Sequence, residues 1–190
     1  LLAPTSYREE IRKSRILAQA RTDSSAADAQ AFIEQVSDPR ASHNCWAWKI
    51  GQQYRFSDDG EPGGTAGRPI LAAIEGQGFD GVAVVVTRWY GGIQLGTGGL
   101  ARAYGGGANK CLQQANKRLL VERCEFTCSC TFSELALLKL RLAEADGIVL
   151  DEQFTANGVD LRIALGQAHQ STLQQRLADL SRGRILLERG

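Results

Sequence analysis

His43, Asn44 and Cys45 set an imidazole and a thiol two positions apart, and Asp58, Asp59 and Glu61 supply three carboxylates shortly after. Thiol, imidazole and carboxylate are the parts of a nucleophilic or acid/base site. On a strand, however, His43 and Cys45 would share a face without meeting in line. No G-x-S-x-G turn offers a serine in their place. The second group of candidates is backbone-driven. Two glycine-rich segments each lead into a helical pattern: Ser57-Asp58-Asp59-Gly60-Glu61-Pro62-Gly63-Gly64-Thr65-Ala66-Gly67, and Gly91-Gly92-Ile93-Gln94-Leu95-Gly96-Thr97-Gly98-Gly99. Glycine permits positive φ and close approach, and the free amides of a helix N-terminus favour an anion. Neither segment carries the Gly-Lys-Ser/Thr of a Walker A loop or a G-x-G-x-x-G fingerprint.

Arg88 follows an apolar run and Arg102 sits in the first turns of the glycine-led helix, so both could face a phosphate at the Gly91–Gly99 loop. Trp89, Tyr90 and Tyr104 offer rings of the kind that stack on bases. The candidate anion or RNA site is Arg88, Gly91, Gly92, Gly96, Gly98, Gly99, Arg102 and Tyr104. The wider motif surface adds His43, Asn44, Cys45, Asp58, Asp59, Glu61, Thr65 and Gly67. A purely structural reading stands beside this one. The glycines would then serve tight turns and close packing, and Arg88 would pair with Asp58, Asp59 or Glu61.

The elements that must position these residues are legible from hydrophobic periodicity. After a polar arm with Arg8, Arg12, Lys13 and Arg15 come a short strand over Ile16–Ala20 and a helix from Ser24 or Ser25, with Asp28 placed for a capping box. A strand over Cys45–Ile50, a long polar loop, a helix over Pro69–Glu75, a central strand over Val82–Thr87 and a helix over Gly98–Lys117 follow. Of the 21 glycines, 16 lie between Gly51 and Gly107. That concentration separates a domain over residues 1–118 from a second over residues 119–190.

The second domain reads as a strand over Val121–Phe132, a helix capped by Ser133, a hairpin turning at Asn157-Gly158, a helix with Leu173, Leu177 and Leu180 on one face, and a strand over Arg184–Glu188. This βαββαβ order is ferredoxin-like. Cys124, Cys128 and Cys130 alternate with polar residues, as inward-facing thiols of a strand do, and lack metal-ligand spacing. His169 reads as a solvated polar residue.

The chain carries 22 Lys and Arg against 21 Asp and Glu, a net charge of +1. Bulk charge therefore excludes a polybasic clamp, and RNA binding would need a local patch. No apolar run reaches the ~20 residues of a membrane span. Five cysteines without a disulfide pattern and no secretory start point to the cytoplasm. No metal or cofactor is expected.

Three long motifs, His43-Asn44-Cys45-Trp46-Ala47-Trp48, Asp58 to Gly67, and Arg88 to Tyr104, together resemble the signature of the YigZ/IMPACT family, and Lys13-Ser14-Arg15 fits its bacterial branch. The resemblance implies an α+β protein. It has a ribosomal-protein-S5-domain-2-like first domain and a ferredoxin-like second, similar to the last domains of elongation factor G. It also implies a regulatory role near translation. The family usually has Lys where Gln94 stands and Ser where Gly63 stands, so this chain has one charge and one hydroxyl fewer there. The leading expectation is a non-enzymatic protein that contacts RNA, the ribosome or another anionic partner through the glycine-rich surface, or a translation-linked protein. The rivals are a hydrolase-like small-molecule enzyme using His43, Asp58, Asp59 and Glu61, and a protein–protein interaction module.

Overall fold

The structure, a computed structural model, describes residues 1–190, which divide into two compact units, Leu1–Arg118 and Leu119–Gly190. Both are α+β units built on an antiparallel sheet.

In the first unit the elements are β1 (Thr5–Ile11), β2 (Ser14–Thr22), α1 (Ala26–Val36), β3 (His43–Ile50), β4 (Gln53–Ser57), α2 (Gly67–Gly76), β5 (Val82–Trp89) and α3 (Gly96–Gln113). The sheet order is β1-β2-β5-β3-β4. β5 is the central strand because Val82, Val84 and Val86 bury one face while Ala83 and Val85 bury the other. The first set packs under α2 and α3 with Ile16, Ala18, Cys45 and Ala47. The second packs under α1 with Trp48, Phe32 and Ile33. Ser25 caps α1 by accepting from the Asp28 amide, as the sequence indicates.

Two strands depart from the sequence reading. The polar arm is strand β1, paired with β2 through a two-residue turn at Arg12-Lys13, where φ is +45° and +64°. A hairpin this tight needs positive φ at both turn positions and normally announces itself with Asn or Gly. Arg and Lys hide it. The long polar loop contains β4, an edge strand that contributes Phe56 to the core and leaves Tyr54 exposed. One-sided burial of so short a strand leaves little pattern to read.

The second unit comprises β6 (Arg123–Cys130), α4 (Leu135–Glu144), β7 (Ile148–Phe154), β8 (Val159–Gly166), a 3₁₀ turn (Gln167–His169), α5 (Gln170–Ser181) and β9 (Glu188–Arg189). Its order, β7-β8-β6-β9, is ferredoxin-like. Phe126, Cys128 and Cys130 point into the core with Leu138, Leu142, Leu173 and Leu177. His169 is exposed. Four details differ from the sequence reading. Phe132 is exposed and stacks on Phe154 at 6.5 Å. Ser133 does not cap α4; instead the Glu134 carboxylate accepts from the Thr131 amide at 2.9 Å. The strand over Arg184–Glu188 shrinks to two residues, because Ile185 and Leu187 direct their amides to Ser181 and Gln174 side chains. The β7–β8 connection spans four residues, and neither Asn157 nor Gly158 has positive φ. Gly158 is required for proximity instead, since a Cβ there would lie 2.2 Å from the Cys130 carbonyl oxygen. No helix is long and apolar enough to cross a membrane.

Candidate functional site

The first glycine-rich segment folds around Asp58. Its Oδ1 accepts from the amides of Ala66 (3.1 Å) and Gly67 (2.8 Å), and its Oδ2 from that of Gly64 (3.0 Å). Burial alone would raise this carboxyl, but the three amides outweigh it and hold the group below its ordinary value. The N-terminus of α2 therefore already contains its anion, supplied by the chain itself. Gly67 packs so closely on Ser57 that a Cβ would stand 2.9 Å from its backbone, and Thr65 closes the turn on the Pro62 carbonyl. Asp59, at φ +41°, accepts from the Asn44 amide at 2.7 Å. Asn44 is a structural tie, bonded through its side chain to Asp38 and Thr87. Asp58, Asp59, Asn44, Thr65 and Gly67 thus build the loop and do not gather around a substrate.

The loop delivers Glu61 into the sheet. Register pairs Arg88 of β5 with His43 of β3 and Ile16 of β2, on the face covered by α2 and α3. There Arg88 is buried and its Nε donates to Glu61 Oε1 at 2.6 Å. Tyr104 of α3, fully buried, donates its hydroxyl to the same oxygen at 2.6 Å. Arg88 Nη1 reaches the buried Ser14 hydroxyl at 3.3 Å. Burial would lower the Arg88 guanidinium, but the Glu61 bond and charge carry it above its ordinary value. Burial drives the Tyr104 phenol far above its usual range, so it remains a donor.

His43 completes the cluster. Its Nδ1 lies 2.7 Å from the Asp59 carbonyl oxygen, which can only accept, so Nδ1 carries the proton. Its Nε2 faces Glu61 Oε1 at 3.6 Å.

Three of the sequence expectations are corrected here. Arg88 is not a free phosphate clamp, since Glu61 holds it in the interior. Tyr104 has no exposed ring for stacking. Cys45 is completely buried, bonded to the Asp58 carbonyl, and burial pushes its thiol up to about 12, so it is no nucleophile.

The second glycine-rich segment is different. α3 begins with Leu95 at its N-cap, with no side chain accepting from its first amides and no acidic residue in its first turn. Gly96, Thr97 and Gly98 are exposed. Gly96 and Thr97 line a cleft of about 560 Å³ together with His43, Glu61, Arg88 and Tyr90. Gly92 and Gly96 need their glycine character for φ of +92° and +71°. Gly91 serves packing, because a Cβ would lie 2.0 Å from the Lys13 carbonyl oxygen. That contact seats the Arg12-Lys13 tip against the loop. Arg102 is exposed, and its guanidinium folds back to within 3.3 Å of where a Gly98 Cβ would stand. Arg12 and Arg102 share a smaller recess with Gly99 and Leu95. The sequence reading gave Ser14 and the Arg12-Lys13 turn no place in the site, because their contacts to it depend on the hairpin.

The fold and site define a two-unit α+β protein whose first unit carries a glycine-framed cleft over a buried ion-pair cluster. The Impact N-terminal domain family matches residues 12–112, and a second family, described as a domain of unknown function (DUF1949), matches residues 128–184. The chain belongs to the IMPACT family. It is 44% identical over 193 residues to the IMPACT family member YigZ of Escherichia coli K12, covering 97% of this chain and 94% of that one. It is 42% identical to an IMPACT family member of Thermus thermophilus (94% and 99% covered) and 30% identical to IMPACT family member YvyE of Bacillus subtilis (95% and 85%). A solved structure described as that of a hypothetical protein is 41% identical and superposes with a TM-score of 0.66, covering 100% of this chain and 95% of that one.

Proposed function

We propose that the chain is a non-enzymatic, cytoplasmic, translation-associated binding protein that holds an anionic partner, RNA or the ribosome's RNA, at the start of α3. The carrying observation is the contrast between its two glycine-framed helix starts. Asp58 fills the first, whereas the second has neither a side-chain cap nor an acid and instead receives the Arg102 guanidinium. A cation at a helix N-terminus opposes the helix dipole. Its placement there makes physical sense when a phosphate sits between guanidinium and amides. Arg12 and Lys13 extend the positive surface from the adjoining turn. The inert Cys45 and the mutual neutralisation of Arg88 and Glu61 weigh against the hydrolase-like alternative.

Co-sedimentation of the purified chain with ribosomes at low and high salt tests this. The expected result is salt-sensitive migration with the particles, lost in an Arg12→Glu/Arg102→Glu double variant. A folded double variant that migrates like the parent, or a parent that stays at the top of the gradient at every salt, overturns the proposal.

A further inference from the structure

The cleft at α3 has a second chemical character that phosphate binding does not use. Glu61 is 93% buried, and every donor that reaches it falls on one oxygen: Arg88 Nε, Arg88 Nη2 and Tyr104 Oη all approach Oε1 at 2.6 Å. Oε2 receives no hydrogen bond from the protein, and it is not among the fully enclosed orphan atoms. It therefore keeps a small accessible surface, on a side chain that is 2% exposed and belongs to a residue lining the cleft. Beside it, Nε2 is the acceptor of the neutral His43 imidazole, because the Asp59 carbonyl fixes the first ring proton on Nδ1. Two acceptors thus face a cleft that α3 lines with amide donors.

The charge state of this pair of acceptors decides what it selects. Arg88 already neutralises Glu61, so no net negative charge remains to attract an ammonium or a metal ion. What remains is unmet capacity to accept a hydrogen bond. A neutral donor that sits next to an anion satisfies both parts of the cleft, and a sugar hydroxyl adjacent to a phosphate is such a group. A cleft of about 560 Å³ accommodates one sugar–phosphate unit.

We infer that this cleft reads the ribose 2′-hydroxyl, which donates its one proton to His43 Nε2 beside Glu61 while the neighbouring phosphate lies on the Gly96 and Thr97 amides, and that the protein thereby selects RNA over DNA. The inference rests on the anion-binding reading of α3 and adds the partner's chemical identity. The hydroxyl is the group by which a protein tells the two nucleic acids apart. DNA in the cleft would leave the partly desolvated His43 acceptor unmatched, and that mismatch generates the discrimination.

The test compares single-stranded oligo(rU), oligo(dU) and 2′-O-methyl oligo(U) of equal length, by fluorescence anisotropy with the full chain at low salt. The expected result is binding of oligo(rU) tighter than of either analogue by at least about fivefold, the worth of one hydrogen bond. The ratio is expected to fall to about one in His43→Ala and to be retained in His43→Gln, whose amide oxygen can still accept. Equal affinity of the parent for all three oligomers, with binding still dependent on Arg12 and Arg102, overturns the hydroxyl reading and leaves the anion reading standing. No binding to any oligomer counts against both. Because the three-oligomer comparison is made on the parent, it decides the question even if a His43 variant fails to fold.

Discussion

Arg88 and Glu61 meet with both Nε and Nη2 of the guanidinium 2.6 Å from a single carboxylate oxygen, and the two residues are 27 positions apart in the chain. Both are more than nine-tenths buried. The pair fastens the first glycine-rich segment to the central strand, and Tyr104 fastens the same oxygen to α3. One carboxylate thus joins loop, sheet and helix.

Removing one partner of such a pair is costlier than removing both. Glu61→Gln leaves an uncompensated buried guanidinium and is expected to destabilise the chain by about 3–5 kcal/mol. Glu61→Gln/Arg88→Met is expected to be more stable than Glu61→Gln alone. Urea unfolding of the parent and both variants checks this, and a double variant less stable than the single would contradict the reading.

Asp58→Ala removes the carboxylate that accepts from three amides at the start of α2 and is expected to cost about 1–3 kcal/mol. The pH dependence follows from the sign of the shift. The folded carboxyl is held below its ordinary value, so its contribution is fully present above about pH 4 and fades as pH falls through the folded value. The melting-temperature gap between parent and Asp58→Asn is expected to narrow only on the acid side of pH 4.

The thiols separate by burial. Cys45, Cys111 and Cys128 are buried, and burial raises them to about 12, 11 and 11, whereas Cys124 is half-buried on its strand. A thiol reagent at pH 8 is expected to modify Cys124 well before Cys45. Rapid modification of Cys45 in the folded chain, read by peptide mass spectrometry, would contradict the assignment.

Gly91→Ala places a methyl against the Lys13 carbonyl and must displace the Arg12-Lys13 turn or the loop. A loss of about 1–3 kcal/mol is expected, with a parallel drop in the oligo(rU) binding proposed above. Gly63→Ala, where a Cβ meets nothing within 4 Å, serves as the neutral control.

The amino-acid sequence by itself determined the element types apart from β1 and β4, the ferredoxin-like order of the second unit and the inward thiols of β6. Val82–Val86 and Cys124–Cys130 carry their burial pattern locally, and periodicity reads local pattern. It also singled out the candidate region, since the glycines and the His43, Glu61 and Arg88 side chains stand in recognisable motifs. It left the roles open between binding and structure.

Only the tertiary structure decided those roles, because each depends on a partner distant in the chain. Arg88 is a core residue because Glu61 is delivered to it, and Tyr104 cannot stack because the sheet covers it. Asp58 occupies one helix start while Arg102 overhangs the other; the acids of the first segment are visible in the sequence, but which of them turns back onto the α2 amides is not. The β1–β2 hairpin stayed hidden for the same reason. Its turn residues carry no local signal, and it is held by pairing with β5 and by the close approach of Gly91.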